Sequence, residues 1–168
     1  MDSAIKLYNE ISTKCSELVT KNYSTSFSLG IYTLNKRIHK DIYSIYGFVR
    51  FADEIVDTFH NLDKEKVLNK FEDETFISIK DNFSTNPILH AFQLTVNKFK
   101  IEEKHIKAFL ESMRMDLTDR SHNEETYKKY IFGSAEVVGL MCLHIFTNGD
   151  KDEFNALEKP AKRLGSAF

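Results

Sequence analysis

From Asn35 to Phe59 apolar and aromatic residues recur at three- and four-residue spacing with no proline, which predicts one long helix. It constrains the fold more than any other stretch, because it is apolar over most of its circumference and still carries acids. At about 100° per residue, with Asp53 at zero, Tyr46 falls at about 20°, Asp57 at about 40°, Arg50 at about 60° and Glu54 at about 100°. Phe48, Val49, Phe51, Ala52, Ile55, Val56 and Phe59 fill the remaining arc. No Lys lies between Asp41 and Asp63, whereas a solvated face ordinarily mixes Lys with Glu. A helix apolar on most sides needs other helices around it.

The remaining segments supply them. Residues 2–21 place Ile5, Tyr8, Ile11, Cys15, Leu18 and Val19 at helical spacing, with Lys and Glu between them. "NYSTSFSLG", Asn22 to Gly30, is a hydroxyl-rich break before another helix. A helix follows the Asp63 cap, and "STNP" at 84–87 ends it and starts another with Pro87 in the first turn. Residues 102–119 and 124–147 read as two more helices, and "TNGD" at 147–150 as a turn. Leu157 to Phe168 opens a helix with no end signal, so the chain reads as an N-terminal piece cut inside an element. Two prolines and six glycines are too few for the many tight turns of a β-sandwich. The class is therefore all-α, with too many helices for a simple four-helix bundle, and residues 1–168 read as a single domain.

Composition excludes several functions. A net charge of -2 with dispersed Lys and Arg gives no reason for a nucleic-acid partner. No apolar run reaches the roughly 18 residues of a membrane span. "MDSAIKLYNE" lacks the basic and apolar regions of a secretory signal, which points to the cytoplasm. Cys15 and Cys142 match no metal spacing and read as reduced thiols. The six histidines show neither HxxxH nor HExxH spacing, so no zinc site is expected.

The acids of the long helix admit two readings. Like charges four residues apart cost a helix a few tenths of a kcal/mol, and a divalent cation would reverse that sign. Mg²⁺ takes one or two protein carboxylates and fills its shell with water and substrate phosphate, and an Arg one turn away can fork onto phosphate oxygens. The plainer reading is a solvated stripe whose acids pair with Arg50. Ser24, Thr25, Ser26 and Ser28 either cap a helix or bind a phosphate. Asp116 and Asp119 in "MRMDLTDR" read as the end of a surface helix. Gly133 and Gly139 in an apolar run indicate close packing or a smooth wall beside a ligand, and packing does not explain Glu136 in the same run.

Four stretches in this order resemble the squalene/phytoene synthase family of head-to-head prenyl transferases, and nearest its bacterial phytoene-forming members. "STSFS" at 24–28 is similar to its serine–phenylalanine motif, and "YGFVRFADEIVD" at 46–57 to its first aspartate-rich motif. "YKKYIFGSAEVVG" at 127–139 is similar to its Tyr…Val-Ala-Gly-x-Val-Gly helix, and "AKRLGSAF" at 161–168 to the segment leading into its second aspartate-rich motif. The resemblance implies a multi-helix isoprenoid-synthase bundle around a central cavity, truncated before the second aspartate-rich helix. It implies that Asp53 and Asp57 hold Mg²⁺, or Mn²⁺, bridged to an allylic diphosphate. Tyr46, Arg50, Ser24 and Ser26 would contact the diphosphate, and Tyr130 would line the site. Phe27, Ala135, Val138 and Gly139 would border the prenyl chain, with Phe48 a further neighbour.

The implied reaction joins two geranylgeranyl diphosphates through a cyclopropyl diphosphate into phytoene, in carotenoid biosynthesis and without a nicotinamide. The alternatives are a farnesyl-using squalene or dehydrosqualene synthase, and a non-catalytic relative serving as a binding or assembly factor. The oily substrates would allow a peripheral membrane contact. Two departures stand out: Glu136 replaces a family glycine, and the chain ends before the second aspartate-rich motif, so the fragment alone is expected to be inactive.

Overall fold

The computed structural model describes residues 3–118 and 124–167, and the acid at Asp119 lies outside them. The described residues form α1 (Ser3–Tyr23), α2 (Thr25–Thr33), α3 (His39–Asp57), α4 (Lys64–Asp81), α5 (Pro87–Phe99) and α6 (Glu103–Thr118). After these come α7 (Glu124–Ile131), a π-helical segment (Phe132–Glu136), α8 (Val137–Phe146) and α9 (Lys151–Ala167). No strand occurs among the described residues. The boundaries have local causes. Asp63 Oδ1 accepts the Lys66 amide at the start of α4, and Asn86 Oδ1 accepts the Ile88 amide at the start of α5. Asn82, Lys100 and Asn148 take positive φ just past helix ends, and Gly149 follows at φ 75°. Asp150 Oδ1 accepts the Asp152 and Glu153 amides, so α9 begins well before the expected Leu157.

Two compact units divide the chain, Met1–Phe51 with Asp73–Lys98 and Ala52–Glu72 with Phe99–Phe168. In the first, Phe48 of α3 stacks on Phe92 of α5 with centroids 3.9 Å apart. Asp41 is buried and accepts a 2.9 Å hydrogen bond from Lys98. Of the apolar positions on α1, Tyr8, Cys15 and Val19 are half-buried. Ser12, Ser16 and Thr20 are its fully buried positions, whereas Ile5, Leu7, Ile11 and Leu18 are exposed. Small side chains let helix backbones come close: a Cβ on Gly47 of α3 would lie 2.9 Å from Ser16 Oγ.

In the second unit, Ile106, Phe109 and Leu110 of α6 and Val137, Leu140 and Met141 of α8 are buried. Leu140, Leu143 and Phe154 form one apolar cluster that fastens α9, with Ala161 packed beside it. The helix expected at 124–147 is interrupted in register by the π-helical turn. Its 23 residues Glu124–Phe146 are long and apolar enough to span a membrane, contrary to the sequence expectation. Its α8 part is buried in the core of this unit, whereas α7 has no buried residue. Gly133 sits where α6 comes closest, and an added Cβ would meet both Ala108 O and Ser112 Cβ at 2.6 Å. Gly133→Ala is therefore expected to destabilise the protein by about 1–3 kcal/mol through overpacking. Urea unfolding checks this, and a midpoint equal to that of the parent chain would show that α6 yields without cost.

Candidate functional site

The end of α3 brings Asp53 and Asp57 to the wall of a cavity of about 500 Å³ in the second unit. Val56, His60, Met113, Asp116 and Tyr130 complete the lining. Asp53 and Asp57 are one helical turn apart, so both carboxylates serve the same side of α3. Ile55, on the other side, is buried. This combination answers the question posed by the apolar helix with acids, because burial of one side fixes where the acids emerge. Asp116 comes from α6, and its Oδ2 accepts a 3.2 Å hydrogen bond from the Tyr130 hydroxyl of α7. Burial, then the Asp116 carboxylate, then more weakly Asp53, push the Tyr130 phenol above its ordinary pKa, so it stays protonated as a donor.

Sequence reasoning missed His60 in this lining. It stands three residues past Asp57, beyond the end of α3, where helical periodicity no longer locates a side chain. Its Nδ1 lies 3.1 Å from Lys64 Nζ. Among the described residues no group of three or more His, Cys, Asp or Glu side chains is arranged to hold a metal ion alone. Two hard carboxylate donors one turn apart, on a polar wall, nevertheless suit a Mg²⁺ that completes its shell with water and phosphate.

The first unit gathers a second set of the expected residues. Ser24 is the N-cap of α2, its Oγ accepting the Phe27 amide at 3.2 Å and lying 3.4 Å from Ser26 Oγ. The Phe27 ring faces Tyr46 of α3 with centroids 4.7 Å apart. One turn along α3, the Arg50 guanidinium lies 4.4 Å over the Tyr23 ring, a cation–π contact. The serine motif and the Tyr46–Arg50 part of α3 thus pack together. Ser24→Ala is expected to cost about 1 kcal/mol through loss of the cap. Thermal unfolding checks this, and an unchanged midpoint would mean that water replaces the hydroxyl.

Ala135, Val138 and Gly139 are half-buried on the π-helical turn and α8. An added Cβ on Gly139 would make only an ordinary 3.6 Å contact with Ala161 O. Packing against α6 accounts for Gly133, and Gly139 carries no such constraint. Glu136 is held across to α9, with its Oε1 accepting a 2.5 Å hydrogen bond from Ser166 Oγ. Beside it Gly165 is obligatory, because a Cβ there would fall 2.9 Å from Glu136 Cα. Phe48 is fully buried against Phe92 in the core.

The architecture is that of the all-helical isoprenoid synthases. It superposes on a crystal structure of a dehydrosqualene synthase with a TM-score of 0.80 at 24% identity, covering 95% of this chain and 54% of that one. On squalene synthase HpnC from Alicyclobacillus acidocaldarius the TM-score is 0.83 at 21% identity, covering 96% and 59%. The squalene/phytoene synthase family profile matches residues 20–168, and the chain belongs to that family. A chloroplastic phytoene synthase from Cucumis melo is 28% identical over 149 residues, which are 86% of this chain and 34% of that protein. Phytoene synthase 1 from Solanum lycopersicum is 28% identical over 144 residues, 83% and 34% respectively. The chain thus spans about a third of the length of these curated relatives and somewhat over half of the structural neighbours.

Proposed function

We propose that this chain carries the first aspartate-rich part of a head-to-head prenyl transferase joining two geranylgeranyl diphosphates into phytoene. The observation that carries the reading is the pair Asp53 and Asp57 on one polar cavity wall, with the Asp116–Tyr130 hydrogen bond beside it. The phytoene synthases among its relatives favour the twenty-carbon substrate. Asp53 and Asp57 would hold Mg²⁺. Bound there, magnesium supplies positive charge that offsets the negative charge building on a departing diphosphate.

The chain's own residues do the rest. Arg50, whose guanidinium Tyr23 holds by its ring face, offers a planar fork to phosphate oxygens. Ser24, Ser26 and Tyr46 add hydroxyl donors for the diphosphate. The Phe27 and Tyr46 rings present π-faces suited to an allylic cation. Ala135, Val138 and Gly139 border the hydrocarbon chain and keep water from it. Tyr130, kept protonated, donates a hydrogen bond at the cavity wall.

A farnesyl-using enzyme is the second reading, favoured by dehydrosqualene and squalene synthases among the structural neighbours. The test is to give the complete gene product magnesium with each substrate and identify the hydrocarbon by mass. A forty-carbon product from geranylgeranyl diphosphate supports the first reading, and a thirty-carbon product from farnesyl diphosphate moves the assignment to the second. A folded protein that makes neither overturns catalysis and leaves the non-catalytic binding factor.

A further inference from the structure

His60 stands on the wall of the acidic cavity and outside all four family-like stretches of the sequence. The chain leaves α3 through tight turns that hold it there. The Thr58 amide donates to Glu54 O at 3.0 Å, and the His60 amide donates to Thr58 O at 2.9 Å. The Thr58 hydroxyl adds a 2.7 Å hydrogen bond to Glu54 Oε1. Lys64, the first residue of α4, then fixes the ring. Its ammonium donates to Val56 O, a carbonyl of the last turn of α3, and lies 3.1 Å from His60 Nδ1. An ammonium has hydrogens to give and no lone pair, so Nδ1 accepts and the ring hydrogen sits on Nε2.

The other polar groups on this wall do not offer a donor. Ionised Asp53, Asp57 and Asp116 only accept, and the Tyr130 hydroxyl is given to Asp116. We propose that His60 Nε2–H donates a hydrogen bond to an oxygen of the diphosphate held through Asp53 and Asp57, with Lys64 as the positioning residue that keeps the hydrogen on Nε2. This role rests on the prenyl-transfer reading above and adds a diphosphate contact from outside its motifs. A diphosphate carries more negative charge than one Mg²⁺ offsets, and Asp116 stays on the wall beside it. A donor on the ring and the ammonium behind it lower the cost of holding that anion among carboxylates.

The test is calorimetry of the complete gene product, first with Mg²⁺ alone and then with inorganic pyrophosphate in the presence of Mg²⁺. His60→Phe keeps a ring and removes the donor. Its pyrophosphate affinity is expected to fall about 10-fold, the scale of one hydrogen bond to a charged group. His60→Gln returns an amide N–H near the place of Nε2 and should recover most of that loss. Lys64→Met frees the ring and should lose less than His60→Phe. The heat of Mg²⁺ binding is expected to be unchanged in all three, which separates a diphosphate contact from a metal ligand. Circular dichroism checks the fold, which the exposed position of His60 should spare. Pyrophosphate binding by His60→Phe equal to the parent's overturns the proposal and leaves the metal role of Asp53 and Asp57 standing. Loss of Mg²⁺ binding in His60→Phe overturns it too, since His60 would then be a metal ligand. A parent protein that binds neither probe overturns the aspartate reading itself, and this role with it.

Discussion

Asp53→Asn is expected to lower hydrocarbon formation by the complete gene product by at least about 100-fold, the scale on which one charge-stabilising group contributes to a transition state. The fold should survive, because Asn is isosteric with Asp and Asp53 is only half-buried. The variant also removes one like-charge pair at i,i+4, an effect of a few tenths of a kcal/mol. Activity thus falls while the fold is kept. That separation marks carboxylates held for a ligand rather than for the helix. Asp57→Asn should behave alike, and the double variant should fall little further, because two ligands of one ion act as a unit. Magnesium titration followed by calorimetry gives a second readout, with the heat of binding lost in either variant. Unchanged turnover and unchanged magnesium binding in Asp53→Asn would return these acids to the plainer reading, a solvated stripe.

The spacing that motivates this experiment was fully legible before any coordinates. Asp53, Asp57, Tyr46 and Arg50 are related by helical geometry alone, and α3 is helical through all of them. Helix ends with chemical signals were legible too: the Asp63 cap, Pro87 opening α5, and the turn at Asn148–Gly149. What the sequence hid was decided by tertiary packing. Hydropathy does not reveal that Ser12, Ser16 and Thr20 are the buried positions of α1, because small size and not apolarity lets them sit against a neighbouring helix. The π-helical turn at Phe132–Glu136 shifts register without any distinctive residue. Glu136 looked anomalous in an apolar run only because its partner, Ser166, lies thirty residues away. The cavity lining needed Asp116, Tyr130 and His60 from three separate stretches; only Tyr130 stood on a recognisable motif, and Asp116, expected at the end of a surface helix, lines the cavity instead.

A buried pair of histidines escaped the sequence for the same reason and yields a large expected pH effect. His105 of α6 and His144 of α8 are 2% and 7% exposed, with ring centroids 5.6 Å apart, and both pack on Phe154 of α9. Neither His105 Nδ1 nor His144 Nε2 has a hydrogen-bond partner among the described residues. Burial first, then the charges of His144 and Lys104, lower the His105 pKa to about 4, against the smaller opposing effects of Glu102 and Glu158. Burial lowers His144 as well. The unfolded chain binds the proton at about 6.5, so it takes up more protons than the folded chain between these values. The stability from neutral His105 is therefore complete above about pH 6.5, falls as pH drops towards 4, and changes little below that. Between pH 7 and pH 5 the loss from His105 alone is about 2 kcal/mol. Urea unfolding at the two pH values measures it. The same pair of measurements on His105→Gln, which cannot titrate, should show a pH dependence smaller by that amount. Equal pH dependence in parent and variant would mean that His105 meets water or a counter-charge on protonation, and that α9 is not held by a neutral imidazole.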